Sequence, residues 1–302
     1  MEEALKIGIA GTGRMGAAIA TRLLARGHAV TVWNRTPQKA QALAASGATV
    51  AATPEELAAR SEFVVTMLTD AAAIDATYRG AHGLLAGDVR GKVFIDMSTV
   101  RPEVEKALEA SARAKGAALV ECPVGGTVGP AKEGKLFGFV GGEASDVKRA
   151  RPVLDELCRR VEHVGAIGAG ASVKLAINLP LLVYWQALGE SLTICKPLNL
   201  PADRLIDILS DTAGTPTAMK GRGAIIAKVL AGEPLGETAF GLSAAKKDLA
   251  TAVSFAASLH AELPVAASAL ACFEEAESAG LGDADATTVS TRWPQRPPRN
   301  TQ

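Results

Sequence analysis

Lys174 and Asn178 interrupt the apolar run GAGASVKLAINLPLLVYWQAL, residues 168–188 of a 302-residue chain. Four positions apart, they share one face of a helix and can reach the same small molecule. An ammonium on an apolar stretch is costly to bury without a partner or a task. Held against a carbonyl oxygen, it can stabilise developing negative charge and supply a proton, while the amide orients the same molecule. The competing reading is a lysine whose stem crosses apolar surface and whose ammonium reaches solvent. The spacing alone leaves the two readings level.

A second constellation, GIAGTGRMG (8–16), carries Gly11, Gly13 and Gly16 in G-x-G-x-x-G spacing, after a strand pattern and ahead of a helical one. Gly11 permits a tight turn, Gly13 lets main chain approach a pyrophosphate, and Gly16 lets the helix pack on the strand. With Thr12, Arg14 and Met15 between them, they aim a helix N-terminus at the phosphates of a dinucleotide. The next strand ends in Trp33-Asn34-Arg35-Thr36. An NAD site usually carries Asp or Glu there. Here no carboxylate repels a 2′-phosphate, Arg35 can pair with it, and Asn34 and Thr36 offer hydrogen bonds. NADP is the expected cofactor, ahead of NAD. Met67 and Leu68, closing the apolar run FVVTML (63–68), are assigned to the same site.

The elements that must position these residues alternate through the first half. Strands are expected at 5–10, 29–33, 63–68, 93–97, 117–121 and 136–140, with helices at 14–27, 37–46, 54–60, 72–79, 103–115 and 144–159. This βαβα rhythm implies a doubly wound, mostly parallel sheet covered on both faces. Near Gly165 the rhythm stops, and helices are expected over 170–197, 203–212, 217–230, 243–260 and 264–279, with proline and glycine at the joints. The fold class is α/β, a Rossmann-type domain (1–165) followed by an all-α domain (166–293), joined by a long interdomain helix. The Pro/Arg-rich tail 294–302 is expected to be disordered.

GTGRMG, DMST (96–99), PVGGTVGPAKEG (123–134), GAGASVKLAIN and KKDL (246–249) together resemble the β-hydroxyacid dehydrogenase family, over nearly the whole chain and in the expected order. The resemblance implies hydride exchange between a nicotinamide and a small 3-hydroxyacid or its aldehyde- or keto-acid. Glyoxylate, succinic semialdehyde, tartronate semialdehyde and 3-hydroxyisobutyrate are the substrates it suggests. It makes Lys174 the general acid/base and Asn178 its companion amide. It also sets Thr99 and Lys247 beside the cofactor, Phe240 over the nicotinamide, and Ser98, Gly125, Gly126, Thr127 and Asp248 at the substrate. A partly desolvated Lys174 near the cation Lys247 is expected to have a lowered pKa. The family usually has Ser-Gly-Gly where Gly125, Gly126 and Thr127 stand, so one hydroxyl is missing and another has appeared. Leu179-Pro180 departs again, where a second Asn and a helix former are common, and Pro180 is expected to kink the helix.

Composition narrows the remaining classes. Lys+Arg and Asp+Glu are 32 each, so no net charge invites nucleic acid or an anionic membrane. The four cysteines are scattered, which reads as reduced thiols with no metal site. The start, MEEALKIGIAG, lacks the basic and apolar regions of a signal peptide, and the run after Lys174 is broken by Asn178, Pro180, Gln186 and Glu190. A cytoplasmic protein that does not span a membrane is expected, with a small carboxylate-bearing substrate and a homodimeric or homotetrameric assembly. Two other readings share this architecture. One is an imine reductase, which commonly lacks a lysine at this position. The other is a non-catalytic NADP-binding sensor or scaffold.

Overall fold

The computed structural model describes residues 4–234, 238 and 240–295. Its first unit is built on nine strands: β1 (Lys6–Ala10), β2 (Ala29–Trp33), β3 (Thr49–Val50), β4 (Phe63–Thr66), β5 (Val93–Asp96), β6 (Ala118–Glu121), β7 (Val124–Gly125), β8 (Leu136–Gly141) and β9 (Cys158–Gly165). The parallel part runs β3-β2-β1-β4-β5-β6, the Rossmann order. Consecutive apolar residues in each strand explain the two covered faces. Val65, Ile95 and Val120 join Ile19, Leu23 and Leu154 in one core. Their neighbours Val64, Phe94 and Leu119 join Leu57, Ile74 and Leu108 in the other. The order reverses between β1 and β4, so the strand ends there open on a crevice.

The sheet continues past β6 in a way the local pattern did not announce. β8 runs antiparallel to β6 and β7, and β9 lies parallel to β8. The helix Ala144–Leu157 therefore stops two residues before its expected end, because Cys158 turns extended and enters β9. The strands β3 and β7 and the helices Val128–Glu133 and Thr288–Gln295 were also unannounced.

The second unit is helical: Ala202–Ser210, Gly223–Leu230, Leu242–Ser258, Pro264–Ala276 and Thr288–Gln295 follow the long helix Ala169–Cys195. Leu182, Trp185, Leu188, Ile226, Leu249 and Phe273 form its core. The long helix continues through Pro180 without interruption. Its apolar window, long enough to cross a membrane, is 39% buried, and Ile194 is 79% exposed, so this helix is less covered than a core helix would be. The compact units divide between Lys174 and Leu175. The reason is that the first turn of the long helix is hydrogen-bonded to Glu121 on β6. Of the expected tail, Pro294 and Gln295 belong to the last helix, and 296–302 lie outside the described residues.

Beneath the sheet's C-terminal edge lies a polar network. Thr66 Oγ1 donates to Asp96 Oδ2 at 2.6 Å and meets the Tyr78 hydroxyl at 2.9 Å. Asp96 takes the Ser98 main-chain N–H at 2.7 Å. Glu105, from the helix Pro102–Ala114, is buried and hydrogen-bonds to Asp96. Desolvation, with the nearby Asp96 and Glu121 carboxylates, raises Glu105 well above its ordinary 4.5. Folding thus takes up a proton there, and the stability this group contributes is complete below pH 4.5 and lost as pH climbs toward its raised value. Glu105→Gln is expected to flatten the fall of melting temperature between about pH 5 and 8. Parallel curves for wild type and variant would contradict this.

Candidate active site

Backbone contacts shape the crevice at the ends of β1 and β4. Gly11 has φ +97°, and a Cβ there would lie 2.4 Å from the Met67 carbonyl oxygen. A Cβ on Gly16 would lie 1.8 Å from the Gly11 carbonyl oxygen, so both positions demand glycine. Gly13 differs: a Cβ there meets nothing within 4 Å. No protein atom requires glycine at that point. Gly13 is also the N-cap of the helix Arg14–Ala25, which no side chain caps. The first-turn N–H groups and the bare Gly13 backbone suit a pyrophosphate.

Gly11, Gly13, Asn34, Arg35, Thr36, Met67 and Leu68 border one cavity of about 510 Å3. That volume suits a small-molecule site. Thr12, Arg14 and Met15 stand outside its lining, and the buried Thr12 hydroxyl has no hydrogen-bond partner. The Asn34 amide acts as a clamp: its Oδ1 accepts from Thr12 N at 3.0 Å and its Nδ2 donates to the Thr36 carbonyl at 3.0 Å. It ties the glycine loop to the end of β2. Arg35 and Thr36 are exposed, and so is Lys39, a second cation on the cavity that the sequence reading missed. Its position four residues after Arg35 was the available signal. The far wall comes from the helix Ala71–Arg79 and the turn through His82 and Gly83, which no motif marks.

Ser98 stands two residues past the end of β5. It is buried at 1% exposure, and its Oγ accepts from Leu68 N at 2.9 Å. It braces the ends of β4 and β5. Thr99, next in the chain, is half-buried. Gly125 ends β7, Gly126 has φ +126°, and Thr127 is the N-cap of the helix Val128–Glu133. These three form the glycine-rich turn the sequence proposed.

Lys174 and Asn178 are both half-buried on the long helix, one turn apart. Asn178 Nδ2 donates to Asp248 Oδ2 at 2.8 Å, and Lys247 Nζ meets Asp248 Oδ1 at 2.7 Å. Asp248 is buried with both oxygens engaged. It is therefore a bracket for Asn178 and Lys247. Phe240 packs on the helical core.

Known proteins match the chain over nearly its whole length. Residues 6–165 match the family described as the NAD binding domain of 6-phosphogluconate dehydrogenase. Residues 168–292 match the NAD-binding family of NADP-dependent 3-hydroxyisobutyrate dehydrogenase. Glyoxylate/succinic semialdehyde reductase 1 of Arabidopsis thaliana is 34% identical over 94% of this chain and 97% of its own length. The 3-sulfolactaldehyde reductase of Escherichia coli is 32% identical over 94% of each chain. The chain belongs to the β-hydroxyacid dehydrogenase family. A solved structure, Mycobacterium tuberculosis 3-hydroxyisobutyrate dehydrogenase with L-serine, superposes with a TM-score of 0.81 at 27% identity, covering 96% of this chain and 99% of that one.

This β-hydroxyacid dehydrogenase is an oxidoreductase that binds a nicotinamide dinucleotide. The open space at Gly13 fits that group, and the bound nicotinamide supplies or accepts hydride. Gly13→Ala is expected to keep the fold, within the roughly 1 kcal/mol lost at an N-cap. It should weaken dinucleotide binding about tenfold or more, because the new methyl occupies the pyrophosphate's approach. Calorimetric titration and thermal melting check this, and an unchanged affinity would exclude the role of Gly13.

Proposed function

We propose that the protein is an NADP(H)-dependent dehydrogenase/reductase of small 3-hydroxyacids and the corresponding aldehyde- or keto-acids, with Lys174 as general acid/base. The observation that carries the reading is the lysine–asparagine pair one turn apart on the long helix, its amide oriented by Asp248. As hydride reaches the carbonyl carbon, the ammonium of Lys174 stabilises the charge gathering on oxygen and donates the proton; oxidation runs the same transfer backwards. Asn178 orients the substrate, and the turn Gly125-Gly126-Thr127 offers main-chain N–H groups to its carboxylate.

Arg35 and Lys39, both exposed on the cavity and with no carboxylate at the end of β2, support NADP over NAD. The relatives' names support glyoxylate, succinic semialdehyde and 3-sulfolactaldehyde as the first substrates to try, with tartronate semialdehyde and 3-hydroxyisobutyrate beside them. The exposed apolar residues of the long helix support a homo-oligomer.

Loss of absorbance at 340 nm on mixing NADPH with one of these carbonyl acids is the direct test. Lys174→Ala should lower kcat about 10²- to 10⁴-fold with dinucleotide affinity retained. Turnover of a cyclic imine in place of every carbonyl acid would reassign the reaction, and NADPH binding without any consumption would make the protein a sensor. Arg35→Ala combined with Lys39→Ala should raise KM for NADPH about tenfold or more while leaving that for NADH nearly unchanged. Equal loss for both cofactors would refute the phosphate pairing.

A further inference from the structure

Glu121 ends β6 with no exposed surface, yet its carboxylate is not paired with a cation. Oε1 accepts from the main-chain N–H of Gly168 at 2.6 Å and of Gly170 at 2.8 Å, and Oε2 from that of Ala171 at 3.2 Å. These are the orphan donors at the start of the long helix, and an anion there meets the positive end of the helix dipole. The surroundings are cut to fit it. A Cβ on Gly141 would lie 2.1 Å from Glu121 Oε1, and one on Gly170 would lie 3.2 Å from the same oxygen and 2.3 Å from the Phe139 carbonyl. Glycine at both places gives the carboxylate room to reach the helix.

Gly170, Lys174 and Asn178 follow one another at intervals of four, so they lie in one row along the helix. The N–H of Gly170 that Glu121 holds is therefore in register with the ammonium one turn on. We propose that Glu121 is a positioning residue for Lys174, fixing the axial setting and rotation of the helix's first turn so that the ammonium meets the substrate oxygen. This rests on the reading of Lys174 given above.

Charged and titratable groups lie on the elements around Glu121. Asp96 ends β5, Glu105 belongs to the helix Pro102–Ala114, and Cys122 follows in the chain. The stem of Lys106 lies by Gly168. His163 on β9 hydrogen-bonds to the Gly142 and Gly165 carbonyls, and Lys174 is on the helix itself. Desolvation raises the Glu121 carboxyl to about 7, against the three N–H groups that lower it. Below that value the carboxyl takes a proton and its hold on the helix weakens.

Three measurements on the full-length enzyme test the proposal. Glu121→Gln should lower kcat about ten- to a hundredfold. The KM for NADPH should stay within about twofold, and Glu121→Asp should recover part of the loss. Amide hydrogen exchange at Gly170 and Ala171 should quicken in Glu121→Gln. Should that variant fail to fold, the wild-type kcat, falling below about pH 7, carries the test. A wild-type kcat in Glu121→Gln, or a flat wild-type kcat between about pH 5.5 and 8, would overturn the proposal. Lys174→Ala is run in parallel. If that variant keeps its activity, the reading of Lys174 fails; if it is inactive while Glu121→Gln is normal, only the present inference does.

Discussion

The main chain at Gly16 packs so closely on the Gly11 carbonyl that no side chain fits between them. From that contact follow the angle at which the helix Arg14–Ala25 leaves β1 and the direction its uncapped N-terminus faces. The Met67 carbonyl closes on Gly11 from β4, and the Asn34 amide holds the loop from β2. Three strand ends thus fix one loop, and they do so chiefly through backbone and a single carboxamide. The apolar pairs that cover both sheet faces supply the rigidity behind it. A cofactor site built this way is set before any ligand arrives, so little binding energy goes into ordering it.

Burial is handled differently at the three carboxylates under the same edge. Asp96 is given two hydroxyl or main-chain donors, while Glu105, whose Oε2 has no hydrogen-bond partner among the described residues, is raised well above its ordinary value. Glu121 has three N–H donors and a helix terminus, yet desolvation still outweighs them. In each of the three, burial outweighs the donors that the dry site supplies. The Glu121 hydrogen bonds also explain why the division between units falls at Lys174: the first turn of the long helix is bonded to the sheet before the helical core begins.

Most of this was legible in the sequence for physical reasons that can be named. Ala29–Trp33 is an apolar strand between turn signals and forms as read. Gly11, Gly13 and Gly16 announced the loop because their spacing is a backbone requirement. β9 was not legible, because CRRVEHVG has half-exposed charges and is a strand only through its ladder with β8. The protein partners of Ser98 and Asp248 were not legible, because motif register shows which element a residue occupies, and not which way its oxygen points. Lys39 reads as solvated charge in a short surface helix unless its spacing of four from Arg35 is weighed.

Asp248 shows what that last distinction is worth. As part of a Lys-Lys-Asp run it reads as solvated charge or as a ligand contact. Buried, it must be compensated, and it is, by Lys247 on one oxygen and Asn178 on the other. An asparagine can present either its oxygen or its nitrogen to a neighbour, and the carboxylate decides, because it accepts only from the amide nitrogen. The face that Asn178 offers to a ligand is therefore set by a residue 70 positions away, on a different helix. The same carboxylate anchors the Lys247 ammonium. One buried acid thereby sets the orientation of two of the groups on which the proposed chemistry depends.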